Sequence, residues 1–174
     1  QGRSWILTPE ADCDTESKNL VLDLITALGA TPIELSAVDH DAAVAKISHL
    51  PQIAASLVAK QLTGTPVEWM ELAGQGLRDT TRIAASDESL WKEIIHSNRA
   101  EISELLVTLQ KDLTQMIQSL DDPAKIAELL VAGRDGKALI PGKHGGKARE
   151  YSYLPIVIDD KPGQLGAIFN ECAA

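Results

Sequence analysis

Ile102-Ser103-Glu104-Leu105-Leu106-Val107-Thr108-Leu109-Gln110-Lys111-Asp112-Leu113-Thr114-Gln115-Met116-Ile117-Gln118-Ser119-Leu120 is the stretch whose reading decides the fold. Ile102, Leu105, Leu106, Leu109, Leu113, Met116, Ile117 and Leu120 recur at helical spacing, which lines one face of an α-helix. The pattern predicts a helix over Arg99–Leu120. A stripe sustained this long suits a helix–helix seam, within the chain or across a dimer. Core packing alone would also explain it.

Helical patterning continues on both sides. Ser86-Asp87-Glu88 reads as a helix start with acids in its first turn, leading through Trp91, Ile94 and Ile95. Pro123–Leu130 reads as a short helix. Upstream, a helix is expected over about Asp39–Gln61, with Ile47, Leu50, Ile53, Ala54, Leu57, Val58 and Leu62 on a broad apolar face. Pro51 lies inside it. It cannot donate to the carbonyl of Ile47, so a bend is expected. Thr63-Gly64-Thr65-Pro66 breaks the chain before a helix over Val67–Ala73 and the glycine-punctuated Gly74-Gln75-Gly76.

The two ends differ from this middle. Residues 1–36 read as strand (Trp5–Thr8), helix (Thr15–Leu28) and strand (Thr31–Leu35), with Gly29 as the helix C-cap. This resembles the trailing end of an α/β domain. Gly133 to Lys147 is rich in glycine and Lys/Arg with no apolar period, and reads as a linker. Leu154–Ile158 reads as a buried-type strand, and a helix is expected from Gly163 to Cys172.

Composition bounds the function. The chain has 174 residues, 44% hydrophobic, with three Trp, two Tyr and one Phe. A core of Leu, Ile, Val and Ala is therefore expected, which suits packed helices. A net charge of −9 speaks against non-specific nucleic-acid binding, which needs a basic face. A small anion bound by a local arginine cluster remains compatible with it. Cys13 and Cys172 lie far apart and outside any CxxC spacing, so two free thiols in a reducing cytoplasm are expected. No uninterrupted apolar run reaches the roughly 18 residues needed to span a bilayer.

Two clusters carry candidate chemistry. Arg78 and Arg82, four apart in Gly76-Leu77-Arg78-Asp79-Thr80-Thr81-Arg82-Ile83-Ala84, share a face if the segment is helical. A guanidinium fork fits a carboxylate bidentately, and Asp79 could anchor either arginine. A solvated charged turn is the competing reading. His49, in Ser48-His49-Leu50-Pro51-Gln52, sits beside the expected proline kink with Ser48 and Gln52 close on the helix. It is a satisfied structural histidine or part of a binding surface. His40, His49, His96 and His144 are scattered, with no HxxxH or HExxH spacing, and Asp39-His40-Asp41 reads as a helix N-terminus, so no metal site is expected. No Gly-x-Ser-x-Gly elbow, Walker loop or Gly-x-Gly-x-x-Gly fingerprint occurs. Lys143-His144-Gly145-Gly146-Lys147 could touch phosphate, but fits a flexible loop better.

In order along the chain, Trp5-Ile6-Leu7-Thr8-Pro9, His40-Asp41, Ser48-His49-Leu50-Pro51, Asp79-x-Thr81-Arg82-Ile83-Ala84, Ser86-Asp87 and Trp91 resemble the C-terminal part of prephenate dehydrogenases, the TyrA family of tyrosine biosynthesis. Asp160-Lys161-Pro162-Gly163-Gln164-Leu165 resembles the opening of an ACT regulatory domain. The resemblance implies a mainly α fold. Residues 1–36 would end a Rossmann-type nucleotide-binding domain. Residues 37–132 would form a helical dimerisation and substrate-binding domain like the C-terminal domain of 6-phosphogluconate dehydrogenase. Residues 133–150 would be a linker and 151–174 the start of a truncated ACT domain.

The implied reaction is oxidation of prephenate with NAD or NADP and loss of its ring carboxylate, giving 4-hydroxyphenylpyruvate. Arogenate dehydrogenases act on the amino-acid analogue and give tyrosine. The family's nucleotide-binding glycines and catalytic histidine, in a His-Pro motif, match nothing in this chain and are expected upstream, so the chain alone is expected to be inactive. Carried over by position, Arg82 grips a substrate carboxylate, while His49, Ser48 and Gln52 line the pocket. Asp79 and Trp91 orient Arg82 and wall the site. Many prephenate users have a second histidine after the Leu-Pro, where this chain has Gln52. A homodimer, feedback by tyrosine through a complete ACT domain and a cytoplasmic location are further expectations. Two rivals are another enzyme of the β-hydroxyacid dehydrogenase type and a non-catalytic helical interaction module.

Overall fold

The computed structural model describes residues 3–141 together with Gly163, Gln164, Gly166 and Phe169. It divides into two units, Gln1–Arg134 and Asp135–Ala174.

The first unit opens with strand β1 (Ser4–Leu7), helix α1 (Thr15–Ala27) and strand β2 (Thr31–Glu34). The strands pair in parallel, Ser4 opposite Thr31 and Leu7 opposite Glu34, so α1 is the crossover that parallel pairing requires. Asp14 caps α1 by accepting from the Ser17 N–H at 2.8 Å. At the other end Gly29, at φ 72°, closes a Schellman motif: its N–H reaches the Thr26 carbonyl and that of Ala30 reaches Ile25. Only glycine enters this left-handed conformation without a Cβ penalty. Ile25 is fully buried, and Lys18 pairs with Glu34 at 2.6 Å, tying α1 to β2. The strand, helix, strand and cap expected of residues 1–36 are thus present.

The rest of this unit is helical: α2 (Ala37–Val44), a π-turn (Ala45–His49), α3 (Leu50–Lys60), α4 (Val67–Met70), α5 (Gln75–Thr81), a 3-10 turn (Arg82–Ala85), α6 (Glu88–Ser97), α7 (Arg99–Gln118) and the greater part of α8 (Pro123–Ala138), whose last residues belong to the second unit. Ser36 caps α2, accepting from the Asp39 N–H. Asp87 caps α6, accepting from the Ser89 and Leu90 N–H groups. The α2–α3 helix is central, packing against α5, the 3-10 turn and α7. By length and composition Ala37–Lys60 would also suit a membrane span. Its buried His49 and Gln52, however, are hydrogen-bonded to neighbouring elements, as in the core helix of a packed domain.

Three expectations need correction. The helix over Val67–Ala73 closes after one turn, at Met70. Gly74 and Gly76 do not punctuate a loop: Gly74 is the N-cap of α5 and Gly76 lies inside it. Nothing stands within 4 Å of where a Cβ would sit on either, so close backbone approach does not explain them. Residues 133–138, expected to open a linker, are helical instead, because α8 runs through Gly133 and Gly136 to Ala138. Glycine costs a helix only about 1 kcal/mol, and the run from Pro123 carries it onward. The basic cluster 143–147, the Leu154–Ile158 strand, Cys172 and nearly all of the ACT-like segment lie outside the described residues.

The apolar stripe that begins in α7 is uncovered over much of its C-terminal half. Ile102 is buried, but Leu113, Ile117 and Leu120 are each about 60% exposed. An open groove of about 570 Å³ runs between α7 and α8, lined by Leu109, Met116, Leu129 and Ala132 with Lys125 and Glu128 beside them.

Candidate functional site

The site grows from the proline of the central helix. Pro51 cannot donate to the Ile47 carbonyl, and immediately before it the helix widens. The Leu50 N–H reaches five residues back, to the Ala45 carbonyl. Such π-bulges concentrate at functional positions. The face turned inward is then Ala45, His49, Gln52 and Ala55, all buried. The broad apolar face expected from the sequence is packed only in part: Leu50, Ile53, Ala54 and Leu62 are half-buried, but Ile47 is 72% exposed and Leu57 48%. Hydrophobicity alone misjudged the stripe because small alanines and two satisfied polar groups provide the contact.

Gln52 is a tie between elements. Its Nε2 donates to the Ile83 carbonyl at 2.9 Å, joining α3 to the 3-10 turn. Ser86 Oγ donates to the same carbonyl at 2.6 Å and lies 3.4 Å from Gln52 Oε1. A hydroxyl has one hydrogen, so the shorter contact takes it.

His49 is 8% exposed. Its Nδ1 lies 3.3 Å from Asn98 Nδ2, and its ring meets Trp91 edge-on, with centroids 6.0 Å apart and planes at 85°. Burial pushes the imidazole below its ordinary pKa; the nearby Asp41 charge opposes this and His40 adds to it. A neutral ring follows.

The 3-10 turn presents Arg82. Thr80 and Thr81 hydroxyls bond back to the Gly76 and Leu77 carbonyls, which favours bending, and α5 tightens at Arg82. Arg82 is exposed, and its guanidinium has no hydrogen-bond or ion-pair partner among the described residues. Asp79 anchors neither arginine: it accepts from Gln75 Nε2 at 2.8 Å. Arg78 reaches the Ala73 carbonyl at 3.4 Å. Trp91 touches His49, and Ser48 is exposed beside it. The structure therefore gathers His49, Gln52 and Trp91 with the turn bearing Arg82, and gives Asp79 a local partner. Asn98 was not singled out from the sequence. The signal was available: a polar residue sits between two apolar helical stripes, at the junction of α6 and α7.

Chemically, this is a surface with an unpaired guanidinium on a turn tied by Gln52 to the helix that carries a buried neutral imidazole. It suits a small acid with a carboxylate and further oxygen acceptors. Among the described residues, no three His, Cys, Asp or Glu gather into a metal-binding group.

Residues 36–132 match the family profile described as prephenate dehydrogenase, dimerization domain. The chain belongs to the prephenate dehydrogenase family. It is 28% identical to the probable prephenate dehydrogenase NovF of Streptomyces niveus, over 99% of this chain and 51% of that one. It is 26% identical to the prephenate dehydrogenase of Bacillus subtilis, over 98% of this chain and 47% of that one. The A. aeolicus prephenate dehydrogenase, solved in complex with hydroxyphenyl propionate and NAD+, is similar with a TM-score of 0.67 and 26% identity, covering 77% of this chain and 49% of that one. The chain thus spans about half the length of these relatives.

The dinucleotide of this prephenate dehydrogenase relative can be tested against the residues here. The turn from β1 to α1 is Thr8-Pro9-Glu10-Ala11-Asp12-Cys13-Asp14. It has no glycine, and its Asp14 carboxylate already occupies the helix N-terminus, where a pyrophosphate would need free N–H groups. These residues do not fit the cofactor.

Proposed function

We propose that the complete protein is a prephenate dehydrogenase converting prephenate and NAD(P)+ to 4-hydroxyphenylpyruvate, carbon dioxide and NAD(P)H, and that this chain supplies dimerisation and the grip on a substrate carboxylate. The observation that carries the proposal is Arg82: an exposed guanidinium without a partner among the described residues, on a turn tied to the central helix by Gln52. A bidentate arginine orients a carboxylate and offsets its charge. His49 supplies a second polar contact, Ser48 a hydroxyl, Trp91 packs His49 and walls the site, and Asp79 lies one turn from Arg82. Gln52 acts from behind the site, since its amide is turned inward. The nicotinamide cofactor, NAD or NADP, is held mainly by parts of the complete protein other than the β1–α1 turn.

Arogenate is the alternative substrate, with tyrosine as product. The ground for keeping it is the sequence: this chain has Gln52 where many prephenate users have a second histidine. The uncovered α7 stripe supports a homodimer. Tyrosine feedback and a cytoplasmic location complete the reading.

The test is a coupled assay on the complete protein with prephenate and arogenate, each with NAD+ and NADP+. Turnover of prephenate supports the proposal, and turnover of arogenate alone replaces it with the alternative. A folded dimer that turns over neither would leave a non-catalytic helical interaction module.

A further inference from the structure

Asn98 belongs to neither arginine cluster nor proline kink, yet it is buried and touches both α2, at Asp41, and the last residue of the π-turn, His49. It stands at the junction of α6 and α7, as C-cap of one and N-cap of the other. Its Nδ2 lies 2.8 Å from the backbone carbonyl of Asp41 and 3.3 Å from His49 Nδ1. A carbonyl oxygen can only accept, so the atom facing Asp41 must be the amide nitrogen. This settles the orientation of the Asn98 side chain without reference to histidine. The second hydrogen of the same NH2 group then faces His49 Nδ1. That nitrogen must accept, and in a neutral imidazole the proton sits on the other nitrogen, Nε2.

We propose that Asn98 is a positioning residue that locks His49 in the neutral tautomer protonated at Nε2, so that His49 meets a substrate oxygen as a hydrogen-bond donor while Arg82 alone supplies positive charge. The part that concerns substrate rests on the function proposed above; the tautomer does not. The groups around the ring agree with this. Trp91 covers it edge-on, leaving Asp41 as the acid and His40 as the base acting on its charge. A protonated Nδ1 would set two donors face to face and leave the second amide hydrogen of Asn98 unmatched in a buried place. The same geometry excludes His49 from abstracting a proton through Nδ1.

The test is long-range 1H–15N correlation on the complete, 15N-labelled protein near pH 7 without substrate. His49 is assigned by the signals lost in His49→Gln. The expected result is a proton-bearing Nε2 and an unprotonated Nδ1. Asn98→Asp keeps the size but turns donor into acceptor. Its carboxylate should place a proton on Nδ1 and raise the His49 titration midpoint by about one pH unit or more. A proton on Nδ1 in the unsubstituted protein would overturn the inference, as would an unchanged His49 tautomer and midpoint in a folded Asn98→Asp. If that variant does not fold, the unsubstituted spectrum still decides. Because substrate is absent, failure of the Arg82 reading leaves this result standing.

Discussion

Gln52 Nε2 donates to the Ile83 carbonyl at 2.9 Å, and this one bond links the proline-bearing central helix to the turn that begins at Arg82. The residues are far apart in sequence, and the amide is 6% exposed. Gln52→Ala removes a buried donor and leaves the Ile83 carbonyl to Ser86 alone. A loss of about 1–3 kcal/mol of stability is expected, read by urea unfolding. Substrate KM should rise with little change in cofactor KM, because the turn loses its tether. Gln52→Glu should be as harmful, since a carboxylate cannot donate to a carbonyl. Wild-type stability and KM in both variants would contradict the tether.

Arg82→Ala in the complete protein should raise substrate KM roughly ten- to hundredfold and spare cofactor KM. A charge-assisted hydrogen bond is worth about 1.5–3 kcal/mol. Arg82→Lys should recover part of the loss, because it keeps the charge but not the fork. Steady-state kinetics with each reactant varied in turn gives the answer; an unchanged substrate KM removes Arg82 from the site.

The buried imidazole makes stability depend on pH. Burial holds His49 below its ordinary value of 6.5. Between that lowered value and 6.5 the unfolded chain carries the extra proton, so stability falls as pH drops through this window. Above it both states are neutral and His49 contributes no slope. Urea midpoints between pH 7.5 and 5 should show the decline, and His49→Gln should flatten it. Asp14, held below 3.8 chiefly by the Ser17 N–H, and Asp87, held below it chiefly by the Ser89 hydroxyl and then by the Leu90 and Ser89 N–H groups, lose their contributions only at lower pH, so the two effects separate. An equal slope in His49→Gln would assign the decline elsewhere.

Leu113 and Ile117, 59% and 61% exposed, form the uncovered part of the α7 stripe. Leu113→Asp should convert a dimer of the complete protein to monomer, since a charge in an apolar seam is desolvated without a partner. Light scattering on a sizing column reads the mass directly. An unchanged dimer would place the interface on another face.

What the sequence determined by itself is local. Leucine and isoleucine spacing set α7, Gly29 closed α1 because only glycine enters the left-handed cap without strain, and Asp87 started α6 by offering an acceptor to free N–H groups. The ordered motifs ending in Arg82 and Trp91 pointed to the family. Tertiary structure decided the rest. Hydrophobic periodicity marked Ile47 and Leu57 as inward, yet the packed face holds His49 and Gln52. Burying a polar group depends on whether distant partners satisfy it, here Ile83 for Gln52 and Asn98 for His49. Those partners lie outside any helical period. A stripe shows that a face is apolar; only the chain's path through space shows whether anything covers it.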